Sequence, residues 1–277
     1  MPSGRAIDHV VLAVRELDRA ATAFQNLGFT LTPRASHEDR MGTSNRLAQF
    51  SGRNFVELLE VDRPGLLQPH DLAGGPPFYS FGDHNRRFLK KREGLSMLVF
   101  ASDDARADAA RFAAANLHTG PVFDFERQAQ LPDGSRVTVA FSLAFAWSDA
   151  MPEIGFFSCQ NRAQQYFWKP DYQRHPNGAL EIEAVYLSSP APEREAAFIG
   201  KLCAGEVAPV DGGLRVACGT HAVLVLSPDA IAAIDPTSPV PAASTPLLAG
   251  LRLRATQPQP LTPSTAACGA FIVWSAT

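Results

Sequence analysis

The sequence predicts an α+β protein built from repeats of one β-α-β-β-β unit. Three observations predict it. An apolar strand, a helix and further short strands follow one another within the first 61 of 277 residues. The same order returns when the sequence is shifted by 88 places, which lays Leu95 to Phe100 over Ile7 to Leu12, Ala109 over Ala21 and Phe112 over Phe24. Between the units lie stretches rich in proline, glycine or aromatic residues, which are poor carriers of regular structure.

The elements follow in order. Ile7 to Val14 is a Val- and Ile-rich run and reads as a strand. Asp18 is placed to cap a helix whose apolar positions Ala20, Ala21, Phe24 and Leu27 recur at helical spacing, and Gly28 stops it. Phe29 to Thr32 is expected as a short strand and Pro33 to Ser44 as a polar loop, with strands at Arg46 to Phe50 and Phe55 to Val61. The second unit has Leu95 to Phe100, a helix at Ala105 to Asn116, and strands at Val122 to Gln128, Arg136 to Ala146 and Ile154 to Gln160, with a turn at Pro132 to Ser135. Leu180 to Leu187 opens a third unit, followed by a helix near Pro192 to Leu202 and strands ending at Leu226. The fourth keeps only Leu248 to Arg254 and Ala270 to Ser275. Its intervening Gln257 to Thr265 carries Pro258, Pro260 and Pro263, and an interior proline costs a helix about 3 kcal/mol. Asp62 to Arg92, Trp168 to Gly178 and Asp235 to Pro246 are the connecting segments. Two domains are expected, 1–170 and 171–277.

Composition narrows the function. With 45% hydrophobic and 19% charged residues the chain can bury a core, and a net charge of −3 gives no electrostatic footprint for nucleic acid or an anionic membrane. Arg86 to Arg92, a short interrupted basic cluster, reads as a solvated loop. No apolar run reaches the roughly 20 residues a bilayer span needs, and the N-terminus lacks a signal-peptide core, so a cytoplasmic protein is expected. The four cysteines form no Cys-x-x-Cys pair and read as free thiols. Dinucleotide, phosphate-loop and serine-hydrolase motifs are absent.

A few residues could carry chemistry. His9 sits in the apolar first strand, and strand alternation assigns it to the face of Ile7 and Val11. Glu57 is mid-strand in FVELLEV, where a buried carboxylate needs a cation, a proton or hydrogen bonds; Glu60, three places on, faces the other way. Thr43, Asn45 and Arg46, following Gly42, combine hydroxyl, amide and guanidinium groups able to hold a carboxylate or phosphate of a substrate.

The opening IDHVVLAV, the segments GTSNRLAQF, FVELLEV and FFSCQN, and the linker WKPDYQRHPNGALEI resemble the glyoxalase-like group of the vicinal oxygen chelate superfamily, over nearly the whole chain. The resemblance implies that paired modules curl into half-open barrels, two pairs here with the fourth module shortened. It implies that ligands project into the cleft from the first and last strands of each module. His9 and Glu57 match two such positions. Asn161 stands where relatives read the histidine of Cys-Gln-His, an amide better suited to manganese or magnesium than to zinc or iron. His175, in the linker that stays near the cleft in relatives, becomes an acid or base candidate. The implied activity is a metal-dependent lyase or isomerase on a small oxygen-bearing molecule. The implied cofactor is a divalent ion (Zn, Mn or Fe) on His9, Glu57 and Asn161, with Glu57 and His175 as catalytic groups. The alternative is a metal-free protein that binds or sequesters a small molecule in the same cleft. An extradiol dioxygenase is disfavoured because Ala184 falls where His9 falls in the first copy and the second pair assembles no iron site. A small-molecule ligand and a homodimeric assembly complete the expectations, without nucleic acid or membrane partners.

Overall fold

A computed structural model describes residues 4–130, 136–242 and 244–277. The expected turn at Pro132 to Ser135 lies outside the described residues. The first unit runs β1 (Ile7–Ala13), α1 (Leu17–Asn26), β2 (Ala35–Ser36), β3 (Ser44–Gln49) and β4 (Phe55–Glu60). Helix α1 buries Leu17, Ala20, Ala21 and Phe24 as one stripe. It begins after Glu16, so Asp18 occupies the first turn rather than the cap. Gly28, at φ +82°, ends it. Phe29 to Thr32 is not a strand: it is an extended segment bound at single points, Thr32 N–H to Leu47 O at 2.9 Å among them.

The insertion that follows contains α2 (Phe81–Leu89), capped by Ser80, whose hydroxyl accepts from Asp83 N–H. Arg86 and Arg87 therefore lie on a helix, paired with buried Asp83, and not in a solvated loop. The second unit comprises β5 (Gly94–Ala101), α3 (Ala105–Ala114), β6 (His118–Thr119), β7 (Phe123–Gln130), β8 (Arg136–Trp147) and β9 (Gly155–Asn161). A short α4 (Gln164–Phe167) leads to β10 (Ala179–Ser188), α5 (Pro192–Cys203), β11 (Val207–Val210), β12 (Gly213–Cys218), β13 (His221–Leu226), α6 (Pro228–Ile234), β14 (Leu247–Ala255) and β15 (Phe271–Ala276).

The strands form two sheets. In the first, of order β2-β3-β4-β1-β5-β9-β8-β6 with β7 on β8, the opening strands of the two units lie antiparallel and Val10 faces Leu98, the residues that the 88-place shift equates. The second, β11-β12-β13-β10-β14-β15, repeats the plan with Val185 facing Leu251. Among the described residues its fourth unit supplies only β14 and β15, and the proline-bearing 257–265 segment forms no helix.

One apolar core joins the outer faces of both sheets with α1, α3 and α5, while each inner face has its own cluster. Asn54 fastens the two sheets: its side chain gives to Ile182 O at 3.0 Å and takes from Ile182 N–H at 2.9 Å, imitating a strand neighbour. His221 is buried at the same seam and accepts Ile7 N–H at 3.1 Å. No helix among the described residues is long and apolar enough to cross a membrane.

Candidate active-site cavity

The inner face of the first sheet encloses a cavity of about 560 Å³. Its wall is aromatic, with Phe55, Phe81, Phe125, Phe141 and Phe157, and its polar end is made by His9, Asp8, Glu57, His37 and Asn45. Period-two alternation selects these side chains: Asn45 and Leu47 on β3 and Phe55 and Glu57 on β4 face inward.

The parallel register of β1 and β4 sets His9 beside Phe55 and Val11 beside Glu57. The His9 ring stacks on Phe55 with centroids 4.3 Å apart, and Phe157 meets it edge-on at 5.7 Å. Against β5 the register slips between Ile7 and His9, so Asp8 is an extra, bulged residue and its side chain also reaches the cavity. Asp8 Oδ1 takes the His9 Nδ1–H at 2.6 Å, which turns Nε2 toward the cavity. That nitrogen stands 3.7 Å from Glu57 Oε2.

Glu57, only 4% exposed, is held on its other oxygen by Asn45, whose amide donates to Oε1 at 2.6 Å. His37 Nε2 lies 3.6 Å from the same Oε1 and 3.3 Å from the Asn45 nitrogen, and its Nδ1 is hydrogen-bonded to Thr43 Oγ1 at 2.8 Å. Thr43 thus acts on the cavity through His37. Arg46 is on the opposite face of β3, where its guanidinium meets Asp18 at 3.3 Å. His175 is buried behind the sheet: Nδ1 accepts Thr30 N–H at 3.0 Å and Nε2–H gives to Gln49 O at 2.8 Å, so both nitrogens serve the backbone. Burial holds its pKa below the usual histidine range. Cys159 borders the cavity, and burial, with help from Asp8 and Glu57, raises its pKa, keeping the thiol protonated.

Asn161 also borders the cavity, but its amide oxygen accepts Ala163 N–H at 2.9 Å. The register explains its distance from the polar end. Val99 pairs with Phe157 as Val11 pairs with Glu57, so Phe157 and not Asn161 is the counterpart of Glu57. Asn161 lies four residues further, roughly 13 Å along the strand. The counterpart of His9 is Met97, buried beneath α2, where Asn85 gives an N–H to its sulfur at 3.7 Å. The second module therefore fills both ligand positions with apolar side chains. The gap between Glu57 and His37 is taken by the Asn45 amide, and among the described residues no three His, Cys, Asp or Glu side chains are grouped to hold one ion. The residues present do not fit a divalent metal centre on His9, Glu57 and Asn161.

The sequence is matched by the model of the glyoxalase-like domain over residues 7–203. The chain belongs to this glyoxalase-like family. The match runs past the first sheet into β10 and α5, the elements that share its core. No curated protein matches the sequence. Among solved structures, a hypothetical protein from Staphylococcus aureus is 15% identical with a TM-score of 0.71, covering 98% of this chain and 99% of that one. A Mn(II)-bound glyoxalase from Novosphingobium aromaticivorans is 14% identical with a TM-score of 0.51, over 92% of this chain and 66% of that one. A variant of 4-hydroxymandelate synthase from Streptomyces coelicolor is 14% identical with a TM-score of 0.50, over 93% and 72%. At such identities these neighbours share the vicinal oxygen chelate fold, as the resemblance implied, and leave the chemistry to the cavity itself.

Proposed function

We propose that this cavity is the active site of an isomerase-type enzyme acting on a small molecule with an apolar body and adjacent oxygens, and that Glu57 moves the proton. One observation carries the reading: a buried carboxylate is held on one oxygen by Asn45 and presents the other to an aromatic hollow, beside an imidazole whose far nitrogen is taken by Asp8. In an α-hydroxycarbonyl compound Glu57 would take the proton from the carbon next to the carbonyl. His9 Nε2 would take the hydroxyl proton and return it to the other oxygen, with Asp8 compensating the imidazolium that forms in between. Return of the Glu57 proton to the neighbouring carbon completes an isomerisation that needs no co-reactant. Thr43 and His37 position Asn45 and Glu57; Arg46 and His175 take no part.

A second reading, a binding protein without catalysis, is favoured by Phe125, Phe141, Leu143 and Phe157, which line the cavity with apolar side chains. Proton exchange separates the two. 2-Hydroxyacetophenone in D2O, followed by proton NMR, is expected to lose its methylene signal faster with the protein than in buffer. The acceleration should fall at least about 100-fold in Glu57→Gln and persist in Arg46→Ala and in EDTA. Exchange at the buffer rate, with the compound still raising Tm, overturns catalysis in favour of binding. Stoichiometric manganese, zinc or iron in protein purified without chelators, lost in His9→Ala, overturns the metal-independent chemistry.

A further inference from the structure

The inner face of the second sheet lines its own hollow of about 650 Å³, with the guanidinium of Arg252 on its floor. The register makes the comparison direct. Ala184 pairs with Arg252 as His9 pairs with Val99, and Tyr186 pairs with Leu224 as Val11 pairs with Glu57. Alanine and leucine thus replace the imidazole and carboxylate of the first cavity, and a guanidinium replaces a valine.

Arg252 gives two of its five N–H groups to Tyr186 Oη, from Nη2 at 2.7 Å and Nε at 3.1 Å. Among the described residues no carboxylate pairs with Arg252 and no acceptor takes the Tyr186 hydroxyl hydrogen. Tyr186 is 2% exposed. A buried hydroxyl with a hydrogen to give, beside a guanidinium with N–H groups to spare, is a donor set for one anionic oxygen pair. Leu224, Leu226 and Val273 supply an apolar wall. Glu183, which accepts from Ser275 at 2.6 Å, and Asp211 stand on the lining too and balance Arg252 and Arg215, so the hollow has no excess positive charge for a second negative charge on a ligand.

We propose that this hollow is a separate binding site for a small organic monocarboxylate with an apolar body, held through its carboxylate by Arg252 and Tyr186. Benzoate is the probe, titrated calorimetrically into the full chain, with inorganic phosphate and benzyl alcohol as charge controls. The expected result is one-to-one binding of benzoate with a Kd on the order of 1 mM or tighter, and both controls weaker by about tenfold or more. Arg252→Ala should weaken benzoate by at least about tenfold, Tyr186→Phe and Arg252→Lys by smaller factors, and Glu57→Gln not at all. Absence of benzoate binding overturns the proposal. So does binding that survives Arg252→Ala, Arg252→Lys and Tyr186→Phe unchanged, or that changes with Glu57→Gln, which would place benzoate in the first cavity. Phosphate binding as tightly as benzoate would replace the carboxylate with a general anion and overturn the stated specificity.

Discussion

Val10 and Leu98 meet at the centre of the first sheet, and outward from that pair the two modules place corresponding side chains at corresponding points. One module puts His9 and Glu57 there, the other Met97 and Phe157. The backbone plan is shared and the chemistry is confined to one side. The polar side needs a support network of Asp8, Asn45, His37 and Thr43, because a buried carboxylate is costly unless its oxygens are engaged. The apolar side needs only packing, which α2 supplies by lying over Met97.

The sharpest way to break this contrast is to write the first module's carboxylate into the second. Phe157→Glu places a second carboxylate beside the His9 ring and near Glu57, among phenylalanines, without the amide support that Asn45 gives Glu57, and a loss of about 3–5 kcal/mol in urea unfolding at pH 7 is expected. The loss should shrink in acid as the new carboxylate takes up a proton. A stable variant at pH 7 would mean that the second half has partners for a charge and that the contrast is wrong.

The α2 plug itself offers the next test. Burial holds His84 at a pKa of about 4, with its ring between Tyr79 Oη at 2.8 Å and Ser96 O at 3.0 Å. The unfolded chain takes up this proton near pH 6.5 and the folded chain does not until about pH 4. Stability is therefore lost as pH falls from about 6.5 to about 4, by about 3 kcal/mol, and no further below that. His70, also held at about 4 by burial, adds to the same window. Urea midpoints of wild type and His84→Gln, compared at pH 7 and 4.5, should show a shallower acid loss in the variant; equal losses would refute the buried neutral ring.

Smaller effects sharpen the polar side. Asn45→Ala leaves Glu57 Oε1 without its closest donor and is expected to cost about 1–3 kcal/mol, read by thermal unfolding. Arg46→Ala, one residue on, removes only a partly exposed ion pair with Asp18 and should change stability by less than about 1 kcal/mol. A larger effect of Arg46 than of Asn45 would reverse the assignment of faces on β3.

Much of this was legible in the sequence. The 88-place repeat equated Val10 with Leu98, which the fold then sets opposite each other, and alternation along FVELLEV separated Glu57 from Glu60. The same alternation separates Asn45 from Arg46, which a motif read as one cluster had joined. His37 escaped because it lies in an aperiodic polar stretch that only tertiary folding brings over Glu57. Asp8 escaped because a bulge, not the strand period, turns it inward. His175 and Asn161 were suggested by family position alone, and backbone hydrogen bonds claim both, from distant Thr30 and Gln49 at the His175 ring and from neighbouring Ala163 at the Asn161 amide oxygen. The helix within residues 62–92 was masked by the prolines and glycines before it.

The common core between the sheets is built by side chains pointing away from both hollows. Alternation along each strand thus keeps two ledgers of residues, one fixed by the partition wall and one free to vary in each chamber. Arg252 could appear opposite Ala184, and His9 opposite Val99, without disturbing a single apolar neighbour across that wall, so one scaffold can furnish two rooms for unlike guests.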